Sequence, residues 1–304
     1  MRGLEIVRRL LGPLPLLLPS VTSATAIIGE VVEGALIDLA TGECFYVNSI
    51  AKPDAKCKCL KVPYSLAPID EWHVVGDEED ALIALAKRFK GSRIAITSFD
   101  ASNFMIKELS NLKPIFADEA VIPLLTALND DEALTIVEAG IKSSVVARQI
   151  TEKNLTNLAY ECSISIEKGV IEVSCLNKYL MGFAATSVGD NSLEALHGVL
   201  KAALRNTVSR MTVNSLIEAI HTTCKKMGLR LLDIELGILG VPMTKTLSRK
   251  FLSYFVAKKR PLSMRMKVVA KTQKGLVVLG GTISILSRGD IYLVTPIVPE
   301  GEIV

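Results

Sequence analysis

Histidine, the commonest acid–base and metal-binding side chain, is scarce in this sequence. Its only histidines are His73, His197 and His221. His197 and His221 lie in amphipathic patterns typical of helices, and neither has a histidine or carboxylate four residues away with which to share a metal ion. We therefore expect both to be partly buried helical side chains, and His73 to lie in a loop.

Asp233 and Glu235 form the most suggestive carboxylate pair. Residues two apart on a strand point to the same face, and paired carboxylates can act as general acid and base. No third ligand accompanies them, which favours a solvated strand face. The sequence also contains no P-loop, dinucleotide fingerprint or Gly-x-Ser-x-Gly elbow. No catalytic residue is therefore predicted.

The six cysteines are too sparse and irregularly spaced for a disulfide scaffold. We expect free thiols and a cytoplasmic protein. Cys57 and Cys59 have the one suggestive spacing, but no second Cys or His pair lies nearby to complete a zinc site. They are interpreted as two thiols on a loop.

The N-terminus resembles a signal peptide, because Arg8 and Arg9 precede an apolar run over residues 10–18. Pro13 and Pro15 interrupt that run. We expect a short surface helix over about residues 3–11, followed by a strand, instead of a cleaved leader. No apolar run reaches the ~18 residues of a membrane span, so no membrane partner is expected.

The formal net charge of +3 conceals an uneven distribution. Residues 1–235 contain 24 basic and 29 acidic residues, whereas residues 236–304 contain 11 and 3. No acidic residue occurs between Leu236 and Gly289. The candidates for anion or partner binding in this region are Lys245, Arg249, Lys250, Lys258, Lys259, Arg260, Arg265, Lys267 and Lys271.

Two interpretations of this basic stretch stay open. Cations interleaved with Phe251, Tyr254 and Phe255 can bind phosphate backbones and stack on bases. Alternatively, the cations pair with acidic faces of the N-terminal domain or of a second copy. The aromatic spacing also fits the buried stripe of a helix.

The first part of the chain alternates short strands with helices, as in an α/β module ending near residue 128. A hairpin is predicted over residues 35–47, and a helix over 77–91 because acidic residues begin it and basic residues end it. A strand over 93–97, a helix over 101–112 and a strand over 115–118 follow.

An internal repeat comes next. Glu-Ala-Leu at 132–134 recurs about 62 residues later at 194–196, and each copy predicts two helices followed by β-rich sequence. After the second copy, strands are predicted with a turn at Gly280 and Gly281. The fold class is therefore α+β, with a small N-terminal α/β domain over residues 1–127 and a pseudo-two-fold domain over 128–304.

This arrangement resembles the creatinase, prolidase and aminopeptidase P family, whose catalytic domain has the "pita-bread" fold. The resemblance covers most of the chain and is carried by residues 125–139, the 170–183 segment and the 280–295 segment. It implies a homodimer with Xaa-Pro peptidase activity. It also implies two divalent metal ions bound by two Asp, one His and two Glu.

Most positions that match this ligand set lack a ligand. Glu172 matches the first Asp, while Ala185 and Thr186 match the second. The His position falls within residues 236–240, and the two Glu positions fall at residues 269–270 and 284–285, none of which carries a suitable side chain. Glu172 is thus the sole surviving metal-ligand candidate, and no cofactor is expected.

The sequence therefore predicts a non-catalytic Xaa-Pro-peptidase-like protein that acts as a peptide- or protein-binding scaffold. One alternative is a nucleic-acid-binding protein that uses residues 245–274. A second alternative is an active metal-dependent dipeptidase or aminopeptidase with a rearranged metal site.

Overall fold

The computed structural model describes residues 1–47, 58–60, 78–89, 93–152, 162–188, 192–207, 213–242, 261–273 and 275–304. They form two compact units, each with its own sheet, in an α+β fold. The first unit contains Met1–Leu125 together with Val241 and Pro242. The second contains Thr126–Gly240 and the described residues from 261 to the end.

The first unit is built on a mixed six-stranded sheet. Its elements are α1 (Leu4–Leu11), β1 (Pro15–Leu18), α2 (Val21–Ile28), β2 (Gly34–Asp38), β3 (Cys44–Val47), β4 (Lys58–Leu60), α3 (Glu78–Ala86), β5 (Ala95–Ile96), α4 (Asn103–Glu108), β6 (Ile115–Phe116) and α5 (Asp118–Val121). The strand order is β4-β3-β2-β1-β5-β6. The hairpin predicted over 35–47 is confirmed. The helix predicted over 77–91 is confirmed only in part, because α3 ends at Ala86 and residues 77, 90 and 91 lie outside the described residues. The helix predicted over 101–112 is shorter: α4 ends at Glu108 and a 3₁₀ turn follows at Ser110–Leu112.

The apolar N-terminal segment forms a helix and a strand, as predicted. Leu16, Leu17 and Leu18 are fully buried in β1, which pairs with β2 and β5. The apolar side chains of this run become buried because removing apolar surface from water is favourable. Within the part of the chain that the structure describes, no helix combines the length and hydropathy needed to cross a bilayer.

The second unit is built on an antiparallel sheet. Its elements are α6 (Asp130–Thr151), β7 (Cys162–Glu167), β8 (Val170–Asn177), β9 (Leu180–Ser187), α7 (Leu193–Thr207), α8 (Val213–Lys226), β10 (Arg230–Ile238), β11 (Leu262–Lys271), β12 (Leu276–Ile285), β13 (Ile291–Thr295) and β14 (Val298–Ile303). The strand order is β10-β11-β12-β9-β8-β7, and β13 pairs with both β12 and β14.

Helix α6 packs directly on the middle of this sheet. The Asn129 side chain caps its first turn by accepting a hydrogen bond from the Glu132 backbone N–H. Ser143 lies on its buried face and accepts a hydrogen bond from the Cys175 backbone N–H of β8. At Gly182 of β9, a Cβ atom would lie 2.1 Å from the Gly140 backbone nitrogen, so helix and strand touch backbone to backbone.

The predicted turn at Gly280 and Gly281 is wrong, because β12 runs unbroken through both residues. The glycines permit close approach instead. A Cβ at Gly281 would lie 2.0 Å from the Val294 carbonyl oxygen of β13. Strand β12 pairs with β9 up to Gly280 and with β13 from Thr282 onward, so the glycines mark the point where it changes partner.

The prediction of free thiols is also wrong. Cys162 and Cys175 lie directly opposite each other on β7 and β8 and form a disulfide, and Cys44 is disulfide-bonded as well. Strand register creates this proximity, and cysteine spacing in the sequence does not reveal it. The cysteines therefore no longer argue for a reducing compartment. Cys57 lies outside the described residues, while Cys224 is a buried free thiol of α8.

Candidate functional site

A single row of residues crosses five strands of the second sheet. Glu172 of β8 lies opposite Ala185 of β9, which lies opposite Gly280 of β12. Gly280 lies opposite Lys267 of β11, which lies opposite Glu235 of β10. Directly opposed residues point to the same face of a sheet. We call these five residues the charged row.

The charged side chains of the row contact one another. Lys267 Nζ lies 2.8 Å from Glu172 Oε1 and 2.5 Å from Glu235 Oε2. Arg265 Nη2 donates to Glu235 Oε1 at 2.7 Å. The Lys267 side chain is only 19% exposed, less than either carboxylate. Two acids and two bases thus balance their charge within one sheet.

The small residues of the row let its charged ends meet. Lys267 and Glu172 are three strand spacings apart in the sheet order. Their side chains therefore extend toward each other past Gly280 and Ala185. The floor beneath them is close-packed, since a Cβ at Gly280 would lie 3.0 Å from both Ala185 Cβ and Phe183 Cε1.

These contacts shift the pKa values of Lys267 and Glu235 in the directions that favour the ionised form of each side chain. Burial alone would lower the pKa of the Lys267 ammonium, but its hydrogen bonds to Glu172 and Glu235 outweigh burial and raise it. Burial alone would raise the pKa of the Glu235 carboxyl, but Lys267 and Arg265 together hold it below its ordinary value. Glu235 is therefore ion-paired while its side chain stays 31% exposed, and Asp233 is exposed on the same strand.

The residues present do not fit a pair of divalent metal ions. Ala185 lies in the row itself, at the place matched to the second Asp. The row positions on β11 and β12 are Lys267 and Gly280. Across the described ranges, no group of three or more His, Cys, Asp or Glu side chains could hold a metal ion. The two carboxylates of the row already share one ammonium.

The structure describes three of the nine basic candidates. Arg265 and Lys267 belong to the ion pairs just described, so their charge is compensated within their own sheet. Lys271 is exposed at the end of β11. The other six lie outside the described residues, namely Lys245, Arg249, Lys250, Lys258, Lys259 and Arg260. For these the anion-binding surface and the nucleic-acid alternative stay predictions.

His197 belongs to a second polar cluster, which holds the C-terminal strand. Its Nδ1 lies 2.9 Å from Thr295 Oγ1 of β13, and its Nε2 lies 2.7 Å from Glu302 Oε1 of β14. Lys201, one turn along α7, also contacts Glu302. His197 is thus a buried helical side chain, as predicted, whereas His221 is exposed on α8 and His73 lies outside the described residues.

We expect Glu302→Gln to destabilise the protein more near neutral pH than in acid. Burial alone would raise the pKa of Glu302, but hydrogen bonds from Lys201 and His197 lower it below its ordinary value. Because the pKa is lowered in the folded state, ionised Glu302 contributes stability above the ordinary glutamate pKa of about 4.3. That contribution is lost as the pH falls through the folded-state pKa. The urea midpoints of both proteins at about pH 7 and about pH 3 measure this difference.

The matched control is Glu300→Gln, which alters an exposed carboxylate on the same strand. An equal loss from Glu302→Gln at both pH values would contradict the assignment.

The comparisons with known proteins bear on the fold. No family model matches the chain, and a comparison by sequence with curated proteins found no match. By structure, the chain has an α+β, peptidase-like fold. It is similar to a Xaa-Pro dipeptidase from Bacillus anthracis, with a TM-score of 0.60 and 11% identity over 99% of this chain and 96% of that one. This supports the α+β, peptidase-like fold that the sequence resemblance implied; at such identity the likeness shows the fold alone.

Proposed function

We propose that this protein is a non-catalytic relative of the Xaa-Pro dipeptidases that uses their fold to bind a peptide or a protein. The observation that carries the proposal is the position of Lys267 Nζ, which lies between Glu172 and Glu235 in the middle of the sheet. A cationic side chain is the opposite of what a dication site needs.

The donor chemistry supports the non-catalytic part. Two bridged dications need several anionic oxygen ligands. The charged row offers two carboxylates, and Lys267 and Arg265 already neutralise them. Neither Ala185 nor Gly280 adds a donor side chain.

The partial exposure of the row supports the binding part. Its two carboxylates are about a third exposed, and Arg265 is 25% exposed above the Phe183 ring at 5.5 Å. Opposite charges side by side can each meet one end of a short peptide, since charge-assisted hydrogen bonds suit both an ammonium and a carboxylate.

We expect the purified protein to contain no stoichiometric divalent metal and to leave Xaa-Pro dipeptides intact when Mn²⁺ is added. Elemental analysis and chromatography of the products measure the two outcomes, and an active Xaa-Pro dipeptidase in the same assay is the control. Two tightly held Mn, Co or Zn ions, or hydrolysis that Glu172→Gln abolishes, would establish the rearranged-site enzyme and overturn the proposal.

The binding role is tested in the same preparation by calorimetry with proline-containing dipeptides and tripeptides. Saturable binding without hydrolysis, weakened by Arg265→Ala and kept by Lys271→Ala, is the supporting result. Failure of every peptide to bind would exclude the peptide form of the proposal.

A further inference from the structure

We propose that the Lys267 ammonium is a built-in cation, occupying the place between Glu172 and Glu235 that a carboxylate pair would otherwise offer to a divalent metal ion. This inference rests on the proposed function in taking the site to be non-catalytic. It goes further by assigning a role to Lys267 and a ligand class to the site that Lys267 closes.

The geometry places both carboxylates around one point. Glu172 Oε1 and Glu235 Oε2 each contact the same nitrogen, at 2.8 and 2.5 Å, so the two oxygens can lie no farther apart than the sum of these distances. One ion bridging two carboxylates has the same arrangement. Hard divalent cations such as Mn²⁺ and Mg²⁺ prefer oxygen ligands of this kind.

The lysine also meets a requirement that the sheet imposes. The carboxylates come from β8 and β10, which are separated by three strands in the sheet order. Without a cation between them, two partly buried negative charges would face each other, and like charges at short range are destabilising. A lysine has a long, flexible stem that can pass over Gly280 and Ala185, and it holds its charge without metal supply.

Removing the ammonium should therefore open a site for one metal ion. We expect Lys267→Gln to bind about one Mn²⁺ per chain at ~1 mM metal, since a site with few ligand charges binds a cation weakly. The unaltered full chain should bind none under the same conditions. Lys267→Arg keeps the positive charge and should also bind none.

Two further variants locate the ion. Lys271→Gln removes an exposed lysine from the same strand and should not create binding. The double variant Lys267→Gln with Glu172→Gln should lose the binding gained by the single one. Calorimetry and electron paramagnetic resonance of Mn²⁺ measure the stoichiometry without any assay of activity.

Clear results would overturn the inference. One is a folded Lys267→Gln protein that binds no Mn²⁺, and another is an unaltered chain that binds as much as the variant. If Lys267→Gln does not fold without metal, circular dichroism decides: folding restored by adding Mn²⁺ supports the inference, and a chain that stays unfolded with Mn²⁺ contradicts it. Failure here leaves the proposed function standing, because that proposal fails only through hydrolysis, tightly held metal or absent binding in the unaltered chain.

Discussion

Replacing Gly182 with alanine is expected to destabilise the second unit by about 3 kcal/mol or more. The new Cβ would lie 2.1 Å from the Gly140 nitrogen and 2.2 Å from the Ala139 carbonyl carbon. Both atoms belong to the backbone of α6, so no side-chain rotation relieves the clash. Helix α6 would have to move off β9, and apolar contacts of Ala133, Ile136 and Ala147 would be lost with it.

Urea unfolding followed by circular dichroism measures the effect, and Gly198→Ala is its matched control. Gly198 lies inside α7, where the nearest atom to a new Cβ is Met227 Cε at 3.9 Å. Alanine there should stabilise the helix by roughly 0.5–1 kcal/mol, since glycine has more backbone freedom to lose on folding. Equal midpoints for the two variants would show that α6 and β9 do not touch as described.

The second large effect is expected from removing the disulfide between Cys162 and Cys175. The bond closes a loop with a sequence separation of 13 residues, for which chain entropy predicts about 3 kcal/mol. Among the described residues, strand β7 lies at the sheet edge, pairs with β8 alone and exposes most of its side chains. Loss of the bond should therefore release β7 first.

The variant Cys162→Ala with Cys175→Ala tests this, with hydrogen exchange of the β7 amides as the local measurement and the urea midpoint as the global one. The control is Cys224→Ala, which removes a buried thiol that forms no disulfide. It measures the destabilisation caused by a small cavity alone, so that the effect of losing the disulfide can be separated from it. Unchanged exchange in β7 would show that hydrogen bonding to β8 alone holds the strand.

The elements of the fold were largely predictable because their signals are local. The acidic residues around Glu79 and the basic residues after Ala86 mark the ends of α3, since charges interact with the helix dipole within a single turn. The paired copies around Ala133 and Ala195 likewise predicted helices that the structure contains as α6 and α7. The turn predicted at Gly280 and Gly281 was wrong because glycine is favoured both in turns and where two backbones approach closely.

The candidate site was less predictable. Glu172 was singled out through a resemblance, and Lys267 was included only as one cation among many. That they meet depends on β11, β12, β9 and β8 lying side by side in one register. Arg265 and Glu235 are joined in the same way. No spacing in the sequence indicates these pairs, because their members are separated by 30 residues or more.

By itself, the sequence determined the order and type of most elements and the uneven charge of its last fifth. These properties depend on residue identity and on neighbours within a few turns. Only the tertiary structure decided that Lys267 joins Glu172 to Glu235, that Cys162 pairs with Cys175 and that Gly182 touches α6. Strand register sets each of these contacts, and shifting register by one residue turns every side chain to the opposite face.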